Sequence, residues 1–210
     1  MTILSKILEY KVVSIIRGAE PADVLPIAHA LYDGGIRCLE ITLNSPNALQ
    51  AIESVASAMG SLLSVGAGTV LDAASAKDAI AAGAQFIISP ITDVATIHTT
   101  KELGAVSIPG AYTPSEIFKA FSVGGDIIKV FPASAGPGFI KEILAPLPHI
   151  PLMPTGGVNL QNIGEFRRAG AVAFGIGKSL VDTGQKMDAE YLRQITARAK
   201  QFMQAANATF

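Results

Sequence analysis

Short runs of β-branched and other apolar residues alternate along this chain with alanine-rich stretches whose apolar positions recur at helical spacing. The runs occupy residues 12–16, 38–43, 62–67, 85–89, 105–108, 126–131, 151–154 and 171–176, and an amphipathic segment follows each. Apolar runs too short for a helix, with little polar alternation, read as strands buried on both faces, the habit of parallel sheets. Gly34-Gly35, Gly83-Ala84, Gly104-Ala105, Gly124-Gly125 and Gly170-Ala171 fall between a helical stretch and the next strand, where glycine ends a helix at least cost. Strand–helix units repeated in this way predict an α/β fold, a (β/α)8 TIM barrel, formed by residues 1–210 as one domain without linkers or low-complexity tracts. Residues 2–10 read as a helix ahead of the first strand and are expected to cap the N-terminal end of the barrel.

A parallel barrel works from the C-terminal ends of its strands and the loops that follow them, so polar residues there are the candidates for chemistry. Arg17 ends the first strand, and Glu40, Thr42 and Asn44 alternate along the second and so share one side of it. Thr69 follows the third strand and Lys129 lies within the sixth, in Asp126-Ile127-Ile128-Lys129-Val130-Phe131-Pro132. An ammonium in so apolar a run is disfavoured by desolvation, and an amine pushed toward neutrality can attack a ketone. The plainer alternative is a strand-end lysine with its stem packed and its head in water. Glu40 is expected to face the same interior as Lys129, as a proton-transfer partner or as half of a buried ion pair.

Thr155-Gly156-Gly157 and Gly177-Lys178-Ser179 end the seventh and eighth strands, the usual phosphate seat of this fold. Glycine lets backbone N–H groups approach an anion, and a short helix is expected to follow and point its N-terminus at it. Gly156, Gly157, Gly177 and Ser179 fit this role, and the reading places the seat across the barrel mouth from Arg17. A lysine, an acid, threonines, an arginine and a phosphate seat amount to imine chemistry on an anionic keto compound.

Composition narrows the alternatives. Half of the 210 residues are hydrophobic, enough for a sizeable core, and sixteen basic against seventeen acidic side chains leave a net charge of −1 with no basic cluster. Nucleic acid is not an expected partner. Cys38, the single cysteine, reads as a small core residue among Ile36, Leu39 and Ile41. No run approaches the ~20 apolar residues a bilayer demands, and the first residues do not form a signal peptide, so a cytoplasmic location is expected. His29 and His98 fall in helical stretches and His149 in a proline-rich loop, and no pair has metal-ligand spacing.

The chain resembles the class I 2-keto-3-deoxy-6-phosphogluconate (KDPG) aldolases, a family that includes 4-hydroxy-2-oxoglutarate aldolases. The matching segments, in order, are Gly35-Ile36-Arg37-Cys38-Leu39-Glu40-Ile41-Thr42-Leu43, Val65-Gly66-Ala67-Gly68-Thr69-Val70, Ala82-Gly83-Ala84-Gln85-Phe86-Ile87-Ile88-Ser89-Pro90, Pro109-Gly110, Thr113-Pro114-Ser115-Glu116, Lys129-Val130-Phe131-Pro132-Ala133 and Pro154-Thr155-Gly156-Gly157-Val158. The resemblance implies Lys129 as the Schiff-base lysine and Glu40 as the general acid/base. It gives Thr69 to the pyruvoyl end, Thr155, Gly156, Gly157 and Ser179 to the phosphate, and Pro90 to the pocket wall. It also implies pyruvate as a product, no metal or cofactor, and a homotrimer. One departure stands out: the best-known branch has an arginine for the substrate carboxylate where this chain has Asn44. Leu43-Asn44-Ser45-Pro46 is similar to the branch acting on the galactonate epimer, and Arg17 becomes the candidate carboxylate clamp. A phosphate-binding barrel isomerase or synthase without an imine is the reading from another class.

Overall fold

A strand buried on both faces needs side chains packed above and below it, and the arrangement of this chain supplies both layers. The computed structural model describes residues 1–208. The strands are β1 (Val12–Ile16), β2 (Cys38–Thr42), β3 (Ser64–Gly68), β4 (Phe86–Ile88), β5 (Val106–Ile108), β6 (Gly110–Ala111), β7 (Ile128–Val130), β8 (Leu152–Pro154) and β9 (Phe174–Ile176). All paired strands run parallel, in the order β5-β4-β3-β2-β1-β9 and β6-β7-β8. A bridge between Thr155 and Gly175 joins β8 to β9, and β5 runs on into β6 across Pro109, so the ring closes as a (β/α)8 barrel. The fifth stave is split in two because proline has no N–H to give the ladder. Its carbonyl still accepts from the Lys129 amide at 2.9 Å.

The helices are α1 (Ile3–Tyr10), α2 (Pro21–Asp33), α3 (Ala48–Met59), α4 (Ala73–Ala81), α5 (Val94–Glu102), α6 (Pro114–Ser122), α7 (Pro137–Leu144), α8 (Ile163–Arg168) and α9 (Ala189–Asn207). Their starts are written locally. Asp72, Asp93 and Asp188 each accept a first-turn amide, Thr113 and Glu116 form a reciprocal capping box, and α2, α6 and α7 begin with proline. The glycine turns between helix and strand are real: Gly35, Gly83, Gly104, Gly124 and Gly170 all take positive φ.

Two apolar compartments result. Leu39, Ile41, Val65 and Phe174 point outward against the helices, whereas Val13, Cys38, Phe86, Ile88, Ile108, Ile127, Met153 and Ala173 fill the barrel. Ile7 of α1 is buried with the second group, so the N-terminal helix plugs the barrel floor as expected. Room for the Phe86 ring comes from Gly66, where a Cβ would lie 2.2 Å from it. Cys38 is wholly buried and desolvation pushes its thiol up to about 12, in keeping with a packing role. Strand limits moved at several places. The third strand begins at Ser64 rather than Leu62, because the amides of Leu62 and Leu63 both turn back onto the Met59 carbonyl. Among the described residues no helix is long and apolar enough to cross a membrane.

Candidate active site

Residues two places beyond the apolar layer of a strand point inward at the next level up. Beyond Cys38, Ile127 and Ala173 come Glu40, Lys129 and Gly175, so on these strands carbon gives way to polar groups or empty space at the C-terminal end, while Ile15 beyond Val13 keeps one wall apolar. Lys129 is 3% exposed, and its Nζ lies 4.9 Å from the centroid of the Phe131 ring, an attraction that partly replaces lost water. Glu40 is fully buried, and neither carboxyl oxygen has a hydrogen-bond partner among the described residues. Its space is made by Gly68, where a Cβ would fall 1.7 Å from Oε1. No ion pair joins Lys129 to Glu40 among the described residues, so the buried-bridge alternative does not hold.

Desolvation dominates both groups. It raises the Glu40 carboxyl above its ordinary range against the opposing pull of Lys129 and Arg17. It lowers the Lys129 amine, which Glu40 alone would raise and which Arg17 lowers further. The result is an amine inclined to lose its proton beside an acid inclined to keep one, the states suited to attack on a carbonyl and to proton donation.

A cavity of about 660 Å³ opens above Lys129, lined by Arg17, Lys129, Phe131, Thr155, Gly156, Gly157, Gly177 and Ser179 among others, with Glu40 buried behind its wall. Gly156 and Gly157 take φ of +81° and +93°, a left-handed course that turns the chain after β8. The amides of Gly157, Lys178 and Ser179 donate to no group among the described residues, which leaves an anion-ready rim. Ser179 Oγ donates to the Val158 carbonyl at 3.0 Å and so stitches the two rim loops together. The helix expected after β9 is absent. A single turn replaces it, with the amides of Leu180 and Val181 both bonded to the Gly177 carbonyl. Thr155 is 4% exposed, and its Oγ1 has no partner among the described residues and occupies the space that a side chain at Gly175 would fill.

The remaining candidates stand off the cavity lining. Thr69 sits in a left-handed turn (φ +57°) next to Gly68, and the backbone of Pro90 presses on Gly110, the ladder partner of Lys129. Asn44 does not reach the cavity wall; its Oδ1 accepts from Arg17 Nη1 at 3.0 Å. Arg17 itself is not across the mouth from the glycine loops. β1 pairs with β9, so Arg17 stands beside the Gly177 turn, an adjacency that depends on ring closure and cannot be counted along the chain. Phe131, Gly68 and Gly175 were missed as site residues. Glycines at inward positions facing a buried acid or threonine were the available signal.

A parallel barrel whose C-terminal mouth holds a desolvated amine, a desolvated acid and an unpaired-amide rim is equipped for carbonyl chemistry. The comparisons are specific within that chemistry. The chain belongs to the KDPG and KHG aldolase family, whose profile matches residues 3–197, and is thus a class I aldolase, a lyase of Schiff-base type. It is 33% identical to the 2-dehydro-3-deoxy-6-phosphogalactonate aldolase of Escherichia coli (strain K12), covering 92% of this chain and 95% of that one. It is 32% identical to the 2-dehydro-3-deoxy-phosphogluconate aldolase of Treponema pallidum (strain Nichols), over 97% of both. Among solved structures it is similar to the KDPG aldolase of Legionella pneumophila with pyruvate captured as a covalent carbinolamine. That match has a TM-score of 0.85 and 30% identity, over 95% of this chain and 97% of that one.

Proposed function

We propose that this enzyme cleaves 2-keto-3-deoxy-6-phosphogluconate to pyruvate and glyceraldehyde 3-phosphate, with 4-hydroxy-2-oxoglutarate as a further substrate. The carrying observation is the buried Lys129 amine beside the unpartnered Glu40 carboxyl under an open cavity. Lys129 attacks C2 of the keto acid, Glu40 supplies the proton with which the carbinolamine hydroxyl leaves as water, and an iminium remains. The Glu40 carboxylate takes the C4 hydroxyl proton, the C3–C4 electrons flow into the iminium, and the aldehyde departs. Glu40 returns the proton to C3 of the enamine, and water releases pyruvate from Lys129. Arg17 anchors the substrate carboxylate, and Thr155, Gly156, Gly157, Gly177 and Ser179 seat the phosphate, while Thr69 and Pro90 support the pyruvoyl end from behind the cavity wall. The family likeness supports a homotrimer as the working assembly.

Borohydride added with pyruvate should fix one adduct on the wild type, at Lys129 by peptide mass spectrometry, and none on Lys129→Ala. An adduct at Lys178, the other lysine at the mouth, contradicts the assignment. Absence of any adduct contradicts imine formation at Lys129. The galactonate epimer is the second reading, supported by Leu43-Asn44-Ser45-Pro46 and by the likeness to the Escherichia coli galactonate enzyme. Steady-state rates on the two epimers separate them.

A further inference from the structure

The end of β1 is clamped at two points. Thr183 Oγ1 donates to the Arg17 carbonyl at 2.7 Å, and the Gly18 amide donates to Ser45 Oγ at 2.8 Å. Ser45 Oγ is itself 3.0 Å from the hydroxyl of Thr42, which is wholly buried in β2. These two contacts tie the backbone of Arg17 and Gly18 to the loops that follow β9 and β2 and do not engage the guanidinium. Arg17 lines the same cavity as Lys178 and Ser179, so a guanidinium turned toward β9 would approach the anion rim. It leans instead toward β2 and Glu40, and its one hydrogen bond among the described residues is the 3.0 Å contact to Asn44 Oδ1.

We infer that Asn44 is a positioning residue that selects which end of the substrate Arg17 serves. By holding Nη1, it turns the arginine to the keto-acid carboxylate and away from the phosphate. The residue type matters. An amide oxygen orients a guanidinium without cancelling its charge, whereas a carboxylate at this position would spend that charge on itself. Asn44 is therefore not a direct substrate ligand. This inference rests on the proposed imine mechanism for its pyruvate measurements, but not for its phosphate measurements.

The experiment compares wild type, Asn44→Ala, Asn44→Asp, Arg17→Ala and the Asn44→Ala/Arg17→Ala double variant. Two quantities are read: the pyruvate concentration giving half-maximal borohydride trapping, and the dissociation constant of inorganic phosphate by calorimetry. Asn44→Ala should weaken pyruvate about tenfold, the scale of one charged hydrogen bond, and lower trapping at saturation far less. Adding it to Arg17→Ala should change pyruvate affinity less than twofold, because there is no arginine left to place. Asn44→Asp, although isosteric, should be worse than Asn44→Ala, since it neutralises the arginine it still holds. Phosphate should bind several-fold more tightly to Asn44→Ala than to wild type, and this gain should vanish in the double variant. Additive losses in the pyruvate cycle, or Asn44→Asp matching wild type, would show Asn44 acting directly on substrate or merely filling space, and would overturn the inference. If wild type forms no pyruvate adduct at all, the imine mechanism has failed separately. The phosphate comparison then decides alone, and equal phosphate affinity in wild type and Asn44→Ala overturns it.

Discussion

Glu40 and Lys129 are moved toward their uncharged forms by one cause, the loss of water, and the two shifts leave opposite signatures in stability. The folded state holds the Glu40 proton more tightly than the unfolded chain does, so stability falls as pH rises from the ordinary 4.5 through the elevated folded value. Lys129 behaves in reverse. The folded state binds its proton less well, so stability rises with pH between the depressed folded value and the ordinary 10.5. Glu40→Gln is expected to be more stable than wild type at pH 9 and to lose that advantage below pH 4.5. Lys129→Met should show its advantage at low pH and lose it above 10.5. Each difference should reach about 1–3 kcal/mol, the cost of an unsatisfied buried polar group. Urea unfolding of the three proteins across pH measures both, and pH-independent differences would contradict burial of the ionised forms.

At the scale of elements, the two inward glycines of β3 do different jobs. Gly66 admits the Phe86 ring and so fills the barrel, while Gly68 admits the Glu40 carboxyl and so places the acid. Gly68→Ala should force that carboxyl aside. A displacement of this order costs roughly a hundredfold in turnover, while Lys129, carried by β7, should still trap pyruvate. A variant retaining near-wild-type turnover would show that the acid has room to spare. The plug helix α1 gives the converse case. Ile7→Ala should destabilise by about 2–5 kcal/mol in thermal unfolding yet leave the turnover of the folded enzyme unaltered, since α1 closes the end of the barrel opposite the mouth.

For the molecule as a whole, the barrel separates a dry floor that supplies stability from an open mouth that supplies binding. Ligand taken up at the mouth should therefore appear as stability. Inorganic phosphate at a hundred times its dissociation constant should add about 2.7 kcal/mol, read as a rise in melting temperature. Gly157→Ala, strained at φ +93°, should lose most of that rise and retain pyruvate trapping. An equal rise in both proteins would place the phosphate elsewhere.

The sequence by itself determined the element order, the plug helix and the inward faces, because a strand's period of two and a helix's of 3.6 are written in residue spacing. Glu40 and Lys129 were legible for the same reason: a charged residue at an inward position near the end of an apolar strand has nowhere to go but the site. Sequence alone could not supply what depends on how side chains meet across neighbouring strands. Closure of the ring put Arg17 beside the Gly177 turn rather than opposite it and brought Asn44 onto its guanidinium. It also gave Gly68 to Glu40 and Gly175 to Thr155. These are contacts between residues on different strands. Chain spacing carries no record of them, because their distances are set by barrel closure and by the volume each side chain leaves to its neighbour.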